Sequence, residues 1–270
     1  MKLSELTEYA DGKILAGVQD RVGHLVINNP ERHNAVSLAM YEAAAEQVTA
    51  MSTDPEARLL VIRGAGGKAF ASGADISQFK ERRSNAEAAE EYAKISMSGR
   101  QKMLSFDKPF IAQIRGFCMG GGLGIALTAD IRIASDDAQF GVPAARLSIA
   151  YDRLNLNNLV ALVGPSKAKE ILITAKRYSG TEAERMGLVN ACVPASNLEI
   201  TISDITDRIA ENAPLSMRAS KLTINELMKD DTAFDSSMVE ELTRDCFDSN
   251  DYQEGQDAFL NKRKPIFKGL

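Results

Sequence analysis

The sequence predicts an α/β fold that gives way to an all-helical C-terminal region. Three observations carry that expectation. Short apolar runs alternate with stretches of helical periodicity as far as about residue 193, the pattern of a sheet covered by helices. Two glycine-rich segments sit where an apolar strand hands over to small, helix-compatible residues: Gly64-Ala65-Gly66-Gly67 with Gly73, and Gly120-Gly121-Gly122 with Gly124. After Pro194 every periodic stretch is helical.

The elements follow in order. Ile14 to Gln19 and Val22 to Asn28 read as strands around the short link Asp20-Arg21, a hairpin. Ser37 is placed to cap a helix in which Leu38, Tyr41, Ala45, Val48 and Met51 recur at helical spacing, and Asp54-Pro55 ends it. Leu59-Leu60-Val61-Ile62 has the length of a buried strand. The charged stretch Lys80 to Glu91 reads as a solvated helix or a flap, and helical periodicity then runs to about Leu104. Phe110 to Ile114, Ile131 to Ala134 and Gln139-Phe140 are further strands. Helices are expected over Leu198 to Glu211, Pro214 to Met228, Thr232 to Phe247 and Tyr252 to Asn261. Pro214 suits a first helical turn, where its missing N–H has no partner to lose. No internal repeat and no low-complexity segment is visible.

Composition narrows the function classes. The chain has 270 residues and a net charge of −5, with a pI near 5.3. That is enough length for one large domain with a substantial core, and the charge gives no reason to expect nucleic acid or an anionic membrane as partner. Cys118, Cys192 and Cys246 are scattered and odd in number, without metal-like spacing, which suggests free thiols in a reducing, cytoplasmic setting. Two histidines are too few for a multi-histidine metal site. No basic-then-apolar leader opens the chain and no apolar run reaches membrane-spanning length.

The chemistry-bearing segments are the glycine-rich junctions. The strand ending at Ile114 runs into Gly120-Gly121-Gly122, and a small-residue helix follows. Unpaired N–H groups at such a junction carry partial positive charge and can hold an anion or an oxyanion. Taken alone, a triple glycine is more readily a tightly packed turn. The segment Ala69-Phe70-Ala71-Ser72-Gly73-Ala74-Asp75-Ile76 supplies a second junction at the mouth of a short helix, which Asp75 could cap. Two junctions could bring two N–H donors onto one carbonyl oxygen, the minimum for stabilising an enolate.

Phe70 to Ile76 and Gly116 to Asp130, in that order, resemble the two signature segments of the crotonase (enoyl-CoA hydratase/isomerase) superfamily. The resemblance extends through Asn29-Pro30-Glu31-Arg32-His33-Asn34-Ala35, Ala138 to Pro143, Leu162-Val163-Gly164, Ala168-Lys169-Glu170, Ala183 to Val189 and the tail Phe259 to Phe267, and so covers nearly the whole chain. It implies a spiral of ββα turns over 1–195 and a C-terminal helical region, 196–270, that packs on neighbouring subunits and helps cover the acyl pocket. It further implies a homotrimer or dimer of trimers. The substrate would be an acyl-CoA thioester, with coenzyme A as part of the substrate and no prosthetic group or metal.

Carried over residue by residue, the resemblance assigns the two oxyanion-binding amides to Ala74 and Gly121. It places His33, Ala35, Ala71 and Ser72 along the CoA, although His33 is equally well read as a surface histidine. It places Lys262 and Lys264 at the CoA phosphates, often reached from a neighbouring subunit, or else in a solubilising tail. A typical hydratase of the family works with two glutamates; at those positions this chain has Gly124 and Ala144, neither of which can move a proton. Asp152 falls where several relatives keep a working aspartate, and it equally suits the N-cap of the following helix. Arg153 could neutralise Asp152 or receive a substrate carboxylate, and Arg146 reads as a surface residue. Asp75 and Asp130 are expected to be structural, His24 to be packed or at an edge, and Cys118 to be buried filler, with no histidine adjacent to activate it. The expected activity is proton transfer or double-bond isomerisation on a thioester enolate, with Asp152 as acid/base. The alternatives are hydration, decarboxylation, thioester hydrolysis, and CoA binding with little catalysis.

Overall fold

In the computed structural model, residues 3–75, 86–229 and 233–269 are described. Two sheets form the frame. The larger takes β1 (Thr7–Tyr9), β2 (Ile14–Gln19), β3 (Val22–Ile27), β4 (Leu59–Gly64), β6 (Phe110–Ile114), β8 (Ile131–Ser135) and β11 (Ala191–Val193), in the order β1-β2-β3-β4-β6-β8-β11. The smaller takes β10 (Tyr178–Ser179), β9 (Gln139–Gly141), β7 (Phe117–Met119) and β5 (Ala69–Ala71), in that order. From β3 onward the larger sheet is parallel, and so is β5-β7-β9.

The chain builds this by repetition. Each turn lays one strand in the larger sheet, one in the smaller, and returns through a helix: β4 and β5 before α2 (Ala86–Leu104), β6 and β7 before α3 (Gly121–Ala126), and β8 and β9 before α4 (Arg153–Thr174). This is the crotonase-like spiral, and α1 (Leu38–Thr53) precedes its first full turn. The side chains pointing between the layers make the core, with Tyr41, Phe70, Phe106, Phe110 and Phe140 each less than about a fiftieth exposed. Burying side chains of this size is the main favourable term of the fold, on the order of 2 kcal/mol each.

Local choices agree with the expectations from sequence at many points. The hairpin β2-β3 turns at Asp20 and Arg21, both left-handed (φ 51° and 67°), as a right-twisted hairpin requires. Ser37 Oγ accepts from Met40 N at 3.3 Å to cap α1, which ends at Asp54. Between α4 and β11 lies α5 (Gly180–Arg185); beyond β11 a short 3-10 turn (Ala195–Asn197) leads to α6 (Leu198–Glu211), α7 (Pro214–Leu227), α8 (Ser236–Phe247) and α9 (Asn250–Leu260).

The sequence reading missed several short strands. β1, β5, β7, β10 and β11 are two or three residues long, too short for any periodicity. The largest correction concerns the strand expected to run straight into the glycines: β6 stops at Ile114, Gly116 turns the chain with φ 65°, and β7 crosses to the other sheet before Gly120. The helix expected after Asp75, the first half of the charged stretch from Lys80, and the helix start at Thr232 lie outside the described residues. Among the described residues no helix is long and apolar enough to cross a membrane.

Candidate active site

Two backbone amides stand side by side where β5 and β7 end. On the β5 side, Val36 N–H donates to Gly73 O (2.8 Å) and Asp75 N–H donates to Val36 O (3.2 Å). A parallel bridge of this kind uses the groups flanking Ala74, so the Ala74 N–H faces the other way. On the β7 side, Gly121 opens α3. A Cβ built on Gly121 would lie 3.6 Å from Ala74 N, and one built on Gly73 would lie 3.7 Å from Gly121 N. Glycine at 73 therefore leaves the Gly121 amide uncovered. Among the described residues neither the Ala74 nor the Gly121 N–H donates to another backbone group. The triple glycine has a packing reason as well: a Cβ on Gly122 would fall 2.1 Å from Ala71 O, which lets α3 lie directly on β5.

Asp152 lies beside this loop, at the N-cap of α4. Its Oδ1 accepts from Asn155 N at 3.0 Å, which is the cap. Its Oδ2 accepts from Asn155 Nδ2 at 2.7 Å and from Arg100 Nη2 at 2.8 Å. Arg100 comes from α2, is almost fully buried, and stands 5.7 Å over the Tyr41 ring. The carboxylate offsets the charge of a guanidinium removed from water. Arg153, the partner suggested by adjacency in sequence, is exposed, and Arg100 takes the role instead. Tyr151, next to Asp152, donates to Gly120 O at 3.1 Å, and Tyr41 reaches Gly121 O at 3.5 Å. Desolvation pushes the Tyr151 phenol far above its ordinary value, so it stays protonated.

The positions that lack glutamate are filled differently. A Cβ on Gly124 would come within 2.6 Å of Asn155 Oδ1 and 2.9 Å of its Nδ2, so the Asn155 carboxamide occupies the space a residue-124 side chain would enter. Ala144 sits half-buried in the 3-10 turn Pro143–Arg146. Arg100 Nε and Asn155 Oδ1 are buried without a hydrogen-bond partner among the described residues, so this polar cluster carries an energetic cost.

The other residues singled out from sequence divide into groups. His33, Ala35, Ala71 and Ser72 are brought together, since Ser72 N donates to His33 O at 3.0 Å and Asn34 Nδ2 ties their two segments through Ala69 O at 2.7 Å. His33 is exposed with its ring against Phe117, while Ala35 and Ala71 are buried. Lys262 and Lys264 are exposed and bond to none of these; Lys264 pairs with Glu211. Asp75 pairs with Arg32 at 3.2 Å. Asp130 Oδ2 accepts from Phe110 N and from Lys221 Nζ, both at 2.8 Å. His24 is half-buried in β3, Cys118 is fully buried with its thiol pushed up by desolvation, and Arg146 is exposed. Sequence reasoning did not find Arg100, Asn155 or Tyr41. Only Asn155 had a local signal, three residues after a capping Asp; Arg100 is 52 positions from its partner.

Comparison with known proteins gives the family and the fold. The family model described as enoyl-CoA hydratase/isomerase matches residues 17–270. A protein named Crotonyl-CoA hydratase from Syntrophomonas wolfei is 36% identical over 254 residues, covering 94% of this chain and 97% of that protein. A peroxisomal Delta(3,5)-Delta(2,4)-dienoyl-CoA isomerase from Arabidopsis thaliana is 30% identical over 260 residues, covering 92% and 93%. A crystal structure described as an enoyl-CoA hydratase/carnithine racemase from Magnetospirillum magneticum superposes with a TM-score of 0.93 at 34% identity, covering 99% of this chain and 100% of that one. With its spiral fold and paired glycine-rich loops, the chain belongs to the enoyl-CoA hydratase/isomerase family of the crotonase superfamily and is an acyl-CoA enzyme of that family.

Proposed function

We propose that this enzyme holds the carbonyl oxygen of an acyl-CoA thioester between the Ala74 and Gly121 amides and moves a proton on the resulting enolate, shifting a carbon–carbon double bond. Asp152 is the acid/base. The observation that carries this reading is Asp152 itself, a carboxylate fixed beside the glycine loop in a cluster where positions 124 and 144 carry no ionisable group. Oδ2 is engaged by Arg100 and Asn155, whereas among the described residues Oδ1 holds only the cap N–H and keeps acceptor capacity for a substrate proton.

For a 3-enoyl thioester the step balances without any co-reactant. Asp152 Oδ1 takes a proton from C2, and the electron pair spreads onto the thioester oxygen against the two amides. Asp152, whose carboxyl proton exchanges with water, then gives a proton to C4, so that the double bond moves from C3–C4 to C2–C3. That a polar cluster with two unsatisfied buried atoms is kept here supports a working role for it.

His33, Ala35, Ala71 and Ser72 would run along the CoA. Lys262 and Lys264 of a neighbouring subunit would meet its phosphates in a homotrimer or dimer of trimers. The helical region 196–270 would serve as the assembly and covering element of the core 1–195, in a cytoplasmic enzyme. Hydration is the second reading, favoured by the names of relatives such as the Syntrophomonas wolfei protein.

Incubation in heavy water with 2-enoyl- and 3-enoyl-CoA thioesters, followed by mass spectrometry, separates the two. Deuterium exchange or bond migration without water addition is the expected result. Net addition of water would replace the isomerase reading with the hydratase one.

A further inference from the structure

The Gly120–Gly121 peptide is the part of the site least constrained by its own backbone. Gly120 has φ 50° and ψ −114°, a combination that side-chain-bearing residues do not occupy and that only glycine tolerates. The ψ of Gly120 sets the plane of the peptide whose N–H belongs to Gly121. In a trans peptide the C=O and N–H point in opposite directions, and no cis bond is present among the described residues. Whatever holds the Gly120 carbonyl therefore aims the Gly121 N–H.

Among the described residues, two donors hold that carbonyl. Gly124 N–H reaches it at 3.0 Å as the first turn of α3, and the Tyr151 hydroxyl reaches it at 3.1 Å. Together they use both lone pairs of the oxygen. The first donor belongs to the same short loop and moves with it. The second comes from outside the loop, from the residue that precedes Asp152.

We propose that Tyr151 is a positioning residue of the oxyanion site: its hydroxyl locks and polarises the Gly120–Gly121 peptide so that the Gly121 N–H faces the thioester oxygen. The inference rests on the reading of Gly121 N–H as a donor to that oxygen. Polarisation follows because a hydrogen bond to an amide oxygen draws charge from the amide nitrogen and strengthens its N–H as a donor. Desolvation keeps the phenol protonated, hence a donor, across the working pH range. Tyr151 and Asp152, adjacent in sequence, then tie the two halves of the chemistry to one another: one aims the group that stabilises the enolate, and the other moves the proton.

The test is isotope-edited infrared difference spectroscopy of butyryl-CoA labelled at the thioester carbonyl, bound to the full-length enzyme. A saturated thioester does not turn over, so its C=O stretch reports only the field and hydrogen bonds it meets. In the wild type the band is expected to shift to lower frequency on binding. In Tyr151→Phe the shift is expected to shrink, with deuterium exchange of reactive enoyl thioesters slowed about five- to ten-fold and butyryl-CoA affinity held within about two-fold, since the lost interaction grows in the transition state. Site-specific 3-fluorotyrosine at 151, a stronger donor of the same shape, is expected to enlarge the shift. It serves as the second variant should Tyr151→Phe fold poorly. A wild-type shift reproduced unchanged in both variants overturns the role of Tyr151. No shift in the wild type overturns the oxyanion reading on which that role rests.

Discussion

Asp152 carries three loads at once: it caps α4, neutralises Arg100, and supplies the one carboxylate, among the described residues, of the polar cluster beside the glycine loop. Asn at 152 can still cap the helix but cannot neutralise the buried guanidinium. For Asp152→Asn we therefore expect proton exchange to fall by roughly two to three orders of magnitude, the scale of a lost general acid/base. Thermal unfolding should move down by several degrees while acyl-CoA affinity is retained. Exchange at the wild-type rate would remove Asp152 from the chemistry. Gly124 shows the opposite kind of constraint, one of space. Gly124→Ala pushes a methyl to within 2.6 Å of Asn155 Oδ1, and overpacking of this kind costs about 1–3 kcal/mol. Chemical denaturation should report that loss, and combining it with Asn155→Gly should recover part of it, because the three atoms nearest the added methyl all belong to that carboxamide.

At the scale of single elements, β3 contains a built-in pH response. His24 is held down to about 4 from an ordinary 6.5, first by burial and then by the charge of Arg63. The unfolded chain takes up this proton near pH 6.5 and the folded chain only near 4. Between those values the unfolded state binds more protons, so the contribution is fully present above about 6.5 and is lost as pH falls toward 4. Melting temperature measured across that window should fall for the wild type and fall less steeply for His24→Gln. The hairpin that begins this strand is also improvable. Asp20 and Arg21 both sit at positive φ, where Asn-Gly is the preferred pair. The double change Asp20→Asn with Arg21→Gly should raise the denaturation midpoint, by about 0.5–1 kcal/mol in stability.

At the scale of the whole molecule, the exposed apolar surface concentrates at the C-terminal end. Phe259 is 84% exposed, Leu260 79% and Ile266 68%. Beside Phe259 lies a groove of about 580 Å³ walled by Leu215, Phe247, Tyr252 and Phe267. Surfaces of this kind mark interaction sites, in keeping with the trimer or dimer of trimers proposed above. Sedimentation of the wild type is expected to give three or six subunits, and Phe259→Glu with Leu260→Glu to reduce that mass. A monomeric wild type would count against the assembly and with it the supply of Lys262 and Lys264 from a neighbour.

The sequence by itself determined the fold class, the order of the long elements and the family, because those depend on periodicity and on motifs contiguous along the chain. The cap at Ser37, the hairpin at Asp20-Arg21 and the helices after Pro194 were legible for the same reason: each is a local preference that packing reinforces. The tertiary structure alone decided how the spiral closes and what surrounds Asp152. Strands of two or three residues such as β5 and β7 carry no period to read; they exist because the neighbouring turn offers a hydrogen-bonding edge. Arg100, Tyr41, Tyr151 and Asn155 meet around the glycine loop from separate elements, and nothing in the local sequence of α2 announces an ion pair with a residue 52 positions away. Burial favoured that pairing, since a guanidinium removed from water needs acceptors and the Asp152 carboxylate supplies one with the opposite charge, and burial is a property of the folded chain.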